Sequence, residues 1–251
     1  MKIYVQSRGF EQEYDYRWLH VYGDGTTEQE IPPISLEVTN LIDSESNSIV
    51  LEKLNREEIL LLITGIEPDE RVDFLDRQIR ISVAWVGLIS DEPVLKNLAV
   101  RALQAEEQYS LTAEINQAVP LGGKYGFYID SEKMRQLILA HSSPQLPANK
   151  PPNLTKKIGK NSAKLRTQLA EELTECQLPT QPGTLVIVTG IKKRETLENA
   201  VIWRSLSRLV EADDWEKISI TNLIVRLKLL IKLASYWVES ICNLISPHKE
   251  N

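Results

Sequence analysis

Between Glu67 and Ser82 the chain reads E-P-D-E-R-V-D-F-L-D-R-Q-I-R-I-S, its densest concentration of side chains able to do chemistry. Paired carboxylates beside a strand can hold Mg²⁺ for phosphodiester cleavage. Asp73 and Asp76 would be the ligands of such a metal-dependent nuclease. The three arginines threaded through the same stretch give a second reading. Arg71, Asp73, Asp76, Arg77 and Arg80 can balance one another in a loop, or face a protein partner as a recognition surface. Clusters of opposite charge serve structure at least as often as catalysis.

The nuclease reading lacks its remaining parts. The strand continues Gln78-Ile79-Arg80, without the E-x-K that supplies a further ligand and a lysine in restriction-type nucleases. Ala118 to Tyr125, A-V-P-L-G-G-K-Y, has the outline of a phosphate loop. It lacks the first glycine and the hydroxyl that would meet Mg²⁺, so it reads as a glycine turn before a strand. His20, His141 and His248 stand far apart, and Cys176 and Cys242 have no metal-ligand spacing. No G-x-S-x-G elbow marks a nucleophile. The expectation is a protein without catalytic activity, cofactor or metal.

Arg71-x-Asp73-x-x-x-Arg77-x-Ile79-x-x-Ser82 resembles a stretch in accessory proteins of bacterial conflict (defence) systems coupled to NTPases. The resemblance covers about a dozen residues. It implies a non-catalytic adaptor or regulator encoded beside an effector, and it carries over no catalytic residue.

The elements that position these residues follow from hydrophobic periodicity. Strands are expected at residues 2–7, 16–22, 48–54, 59–66, 78–88 and 184–189, with a short one at 123–129. Asp91-Glu92-Pro93 opens a helix, and further helices are expected at 111–118, 131–141, 162–176 and 196–210. The fold class is therefore α+β, with a β-rich first half on a mixed sheet and a helix-rich second half. Four prolines and no periodicity mark residues 142–153 as a linker. It would divide an acidic domain, residues 1–141, from a basic and mainly helical region, residues 154–251, holding one buried strand.

Ile220 to Ile245 is the chain's longest apolar run, free of Pro and Gly. At helical spacing Leu223, Leu227, Leu230, Trp237 and Ile241 share one apolar arc, with further apolar residues outside it. Such a helix can pack into its own core, dock on a protein partner, or lie on a membrane as part of a peripheral effector using residues 218–246.

Composition bounds the rest. The chain is 251 residues long, 42% hydrophobic and 25% charged, as globular proteins are. Two cysteines and no apolar leader point to a reduced, cytoplasmic setting. Lys150, Lys156, Lys157, Lys160, Lys164 and Arg166 form a basic run, and Lys192-Lys193-Arg194 a second. With a net charge of −6 and no aromatics interleaved in the first run, neither cluster marks a dedicated nucleic-acid binder. The function expected is an interaction or regulatory subunit of a cytosolic protein assembly.

Overall fold

The structure, a computed structural model, describes residues 1–43, 45–68, 71–139, 150–200 and 202–218. Met1–Glu216 forms one compact unit built on a single mixed sheet. Its strands are β1 Lys2–Ser7, β2 Arg17–Val21, β3 Thr27–Gln29, β4 Ser48–Lys53, β5 Glu58–Ile66, β6 Ile81–Leu88, β7 Lys157–Lys160, β8 Gly183–Thr189, β9 Arg204–Ser207 and β10 Glu216–Lys217. They lie in the order β10-β7-β9-β8-β4-β5-β6-β1-β2-β3. The helices are α1 Leu36–Leu41, α2 Glu92–Leu103, α3 Ala105–Ala118, α4 Ser131–Leu139, α5 Ala163–Glu175 and α6 Arg194–Asn199.

The longest apolar runs of the sequence occupy the middle of this sheet. β4, β5 and β6 are buried along nearly their whole length, so both faces of the sheet are covered there. Ile49, Leu51, Leu61, Val83, Trp85 and Val188 join the main core with residues of α2 to α5. Each such side chain contributes about 1.5–3 kcal/mol when fully buried. Tyr4, Val50, Leu60, Leu62 and Ala84 are buried on the opposite face. The segment around α1 crosses that side. Glu30 accepts a hydrogen bond from Tyr4, Ser35 holds the Glu52 carboxyl, and the Asp43 carbonyl receives Thr64.

The sheet does not divide where the linker was expected. β4 from the acidic half pairs antiparallel with β8 from the basic half, Ile49 opposite Val188. Of the expected linker, residues 142–149 lie outside the described residues. Lys150 is tied to the end of α5, with the Gln177 N–H donating to its carbonyl and its ammonium 2.5 Å from Glu175. A protease site inserted between Leu139 and Lys150 should therefore give two fragments that co-elute on size-exclusion chromatography. Fragments that separate under native conditions would contradict the shared sheet.

Within residues 150–218 the content differs from expectation as well, while the terminal helix expected over 220–245 lies outside the described residues. Residues 150–218 hold four strands and two helices. The single helix expected at 196–210 is instead α6 followed by β9, a fully buried strand paired in parallel with both β7 and β8. Pairing on two sides satisfies the backbone of 204–207 and overrides the helical spacing of Leu197, Leu206 and Leu209. The strand expected at 123–129 is reduced to one bridge, Leu121 to Phe127, around a turn. Asp91 does precede α2, but its carboxylate accepts from the Leu88 N–H at 2.9 Å and caps no helical N–H.

The basic run meets acidic partners within the chain. Lys160 pairs with Asp213, Lys164 with Asp214, and Arg194 with Glu198 and Glu216. Arg166 turns inward to the carbonyls of Ala102 and Leu103 and to Gln108. Much of the charge asymmetry is thus balanced inside the molecule.

Candidate protein-recognition face

β1 and β5 end, and β6 begins, at one end of the sheet. Three loops meet there. Residues 71–79 fold back on themselves, with the Asp73 N–H donating to Arg77 O at 2.9 Å and Ile79 N–H to Arg71 O at 2.8 Å. Asp76 makes the turn, with φ of 56° and its N–H donating to Asp73 O. A short polar side chain tolerates that left-handed conformation better than most. The loop after β1 is joined to this turn by Phe74 N–H donating to Phe10 O. The third loop, around residues 121–128, approaches the first so closely that a Cβ on Gly9 would lie 2.6 Å from Gly126 Cα.

Asp73 is the hub. Its carboxylate accepts from the Leu75 and Arg77 N–H groups at 2.9 and 3.1 Å and from Arg77 Nε and Nη2 at 3.0 and 2.7 Å. Arg8 Nη1 stands 3.1 Å away. The Arg77 guanidinium, above all, pulls the carboxyl down to about 2. Such a carboxylate has its acceptor positions filled by protein donors, which leaves little for a metal. Among the described residues no group of three or more His, Cys, Asp and Glu side chains could hold a metal ion.

The five residues singled out in the sequence separate in space. Asp73 and Arg77 pair. Arg80 pairs with Glu67, while its N–H donates to the Tyr16 hydroxyl oxygen at 2.8 Å. Arg71 is buried and donates to the Val119 carbonyl, and burial lowers its guanidinium to about 10. Asp76 is exposed and contributes its backbone to the turn. Arg8 and Tyr16, which complete the network, lie far away in sequence. Arg8 follows β1 directly, but no local pattern points it at Asp73.

Around this network the surface is aromatic and apolar. Phe10, Leu75, Leu121 and Tyr128 are 48, 57, 40 and 53% exposed. Arg8 lies over the Tyr16 ring at 5.8 Å, and Arg17 and Lys124 over Tyr125 at 5.3 and 5.0 Å. Aromatic residues and arginine beside exposed apolar groups is the composition of interface centres.

The other motifs read from the sequence do not join this face as chemistry. Gly122 and Gly123 have φ of 120° and 71° in a turn between α3 and α4, with no strand–loop–helix around a phosphate. His20 sits in β2, between Tyr4 of β1 and Glu28 of β3, 2.9 Å from Glu30 and stacked on Tyr4. His141, His248 and Cys242 lie outside the described residues. So do Leu223, Leu227, Leu230, Trp237 and Ile241 of the expected terminal helix. Among the described residues no helix is long and apolar enough to cross a membrane.

No family model matches the chain, and the comparisons with curated proteins and with solved structures find no match either.

Asp73 gives the face a pH signature. Its carboxyl is depressed from an ordinary value of about 3.9. It therefore contributes stability that is fully present above about pH 4 and is lost as the pH falls through about 2. Asp73→Asn should flatten the acid limb of the pH–stability curve in that window. An unaltered acid limb would mean that Arg8 and Arg77 do not hold the loop in solution.

Proposed function

We propose that this chain is a non-catalytic interaction or regulatory subunit that binds a protein partner through the end of the sheet carrying Phe10, Leu75, Leu121 and Tyr128. One observation supports this above the rest. The residues best suited to chemistry, Asp73 and its arginines, are engaged in holding three loops together, while apolar and aromatic side chains stand exposed on those same loops. A rigid polar base beneath exposed anchors is how recognition surfaces reduce the ordering cost of binding. A defence-system adaptor, as implied by the Arg71–Ser82 resemblance, is the assembly we propose.

Phe10→Asp and Leu75→Asp test the reading, because both side chains are exposed and neither change should unfold the chain. With the chain at native expression, a stoichiometric partner of the unaltered protein should be lost or weakened about tenfold or more in each variant. Retention of the same partner at full strength in both variants would remove this face from the account. Mg²⁺-dependent cleavage of DNA or RNA that vanishes in Asp73→Asn would replace the adaptor reading with the nuclease.

A further inference from the structure

A cleft of about 430 Å³ is lined by α3 and by the chain at the end of β5. It shares no lining residue with the exposed anchors Phe10, Leu75, Leu121 and Tyr128. Its helical wall follows from spacing. Gln108, Thr112 and Asn116 stand four residues apart, as do Tyr109, Ala113 and Gln117, so they form two adjacent rows on one face of α3. Leu111, Ile115 and Ala118 of the same helix join the core, which fixes the direction that face takes. Asn47, before β4, and Gly65 to Pro68 complete the lining.

The lining disfavours a charged ligand. It includes no lysine or arginine, so a phosphate or carboxylate would find no counter-charge there. Its one carboxylate, Glu67, is already paired with Arg80, which removes the attraction for an amine. Yet the cleft is far from apolar. Seven of its eleven lining residues are polar, whereas small-molecule sites are mostly lined by hydrophobic side chains. Carboxamides and hydroxyls both donate and accept. The side chains of Thr112 and Asn116 have no hydrogen-bond partner among the described residues, and their polar atoms are open to solvent. Gln117 is exposed. Arg166 donates to the Gln108 side-chain oxygen at 2.9 Å, which orients that carboxamide and leaves its NH₂ group to donate.

A neutral polyol meets these conditions. Each sugar hydroxyl both donates and accepts, as the carboxamides do, and a sugar ring also carries an apolar C–H face. Tyr109, 70% exposed in the same wall, offers an aromatic ring for that face. A nucleobase, with its short hydrogen-bonding edge, would leave most of the polar groups unpaired. We propose that the cleft binds a neutral mono- or disaccharide. Gln108, Thr112, Asn116 and Gln117 hold its hydroxyls, and Tyr109 takes a C–H face of the ring.

Glucose, maltose, cellobiose and diacetylchitobiose, titrated against the full chain by calorimetry, test the site, with glucose 6-phosphate and adenosine as contrasting ligands. The expected result is that at least one neutral sugar saturates at millimolar concentration or below, and that neither contrasting ligand does. Asn116→Leu should weaken that sugar about fivefold or more, the effect of one lost hydrogen bond. Tyr109→Ala should weaken it about threefold or more through loss of the ring face. Circular dichroism spectra matching the unaltered chain establish that each variant is folded. The proposal is overturned if no neutral sugar saturates, if glucose 6-phosphate or adenosine binds as tightly as the best of them, or if Asn116→Leu and Tyr109→Ala leave its affinity unchanged.

Discussion

Glu172→Ala should destabilise the protein by about 3–5 kcal/mol, the usual cost of stranding one member of a buried ion pair. The stranded member is Arg204, which is fully buried at the head of β9. Its guanidinium meets both Glu172 oxygens, Nε at 2.6 Å, and donates to the carbonyls of Thr155, Asn153 and Trp203. These bonds join β9, α5 and the chain entering β7, so the loss would be felt across the parallel part of the sheet. Urea denaturation measures it. Glu172→Leu with Arg204→Met should recover most of the stability, because replacing both charges by apolar groups removes the desolvation cost on both sides. A single variant as stable as the parent would mean that water reaches Arg204.

Gly65→Ala should lower stability by about 2–5 kcal/mol from two sources. The residue has φ of 62°, where a Cβ costs about 1–2 kcal/mol. That Cβ would also lie 2.3 Å from the carbonyl carbon and oxygen of Ser46 and 2.7 Å from Asn47 N. These are backbone atoms, so the strain is relieved only by moving the chain that leads into β4, at about 1–3 kcal/mol. Gly65 sits in the register shift between Ile63 and Ile66, a bulge in β5 before it pairs again with β6 at Ile81. A thermal melt is sufficient to see the effect. An unchanged midpoint would show that the Ser46–Asn47 approach yields freely.

Much of the sheet was legible in the sequence because its central strands are long and apolar. The runs at 48–54, 59–66 and 184–189 became β4, β5 and β8 within a residue or so. Burial on both faces writes itself as a continuous run, so periodicity was not needed. What stayed hidden depends on distant partners. β7 is only Lys-Ile-Gly-Lys, and β9 is Arg-Ser-Leu-Ser, too short and too polar to show a strand period. Both become strands because β9 finds a neighbour on each side. Arg204 falls within the stretch expected as a helix, and it is one of the most buried side chains.

The face proposed for recognition was half legible. The clustering of Arg71, Asp73, Arg77 and Arg80 drew attention to the loop that Asp73 holds together. It did not reveal that Arg71 turns into the core toward Val119, or that Arg8 takes its place beside Asp73. Charge spacing along a loop fixes which residues are near in sequence, not which way each side chain leaves the backbone.

The pairing of β4 with β8 has a consequence for how the chain is made. On the ribosome the amino-terminal strands emerge first, and β4 can pair with β5 almost at once. Its other edge must wait until residues 183–189 have been synthesised. Through that interval Ser48–Lys53 presents unpaired N–H and C=O groups flanked by Ile49, Val50 and Leu51, an open template for another nascent chain. Aggregation during synthesis should therefore fall when a peptide spanning residues 183–189 is supplied in trans. A chain stalled before β8 is the species a chaperone would have to hold.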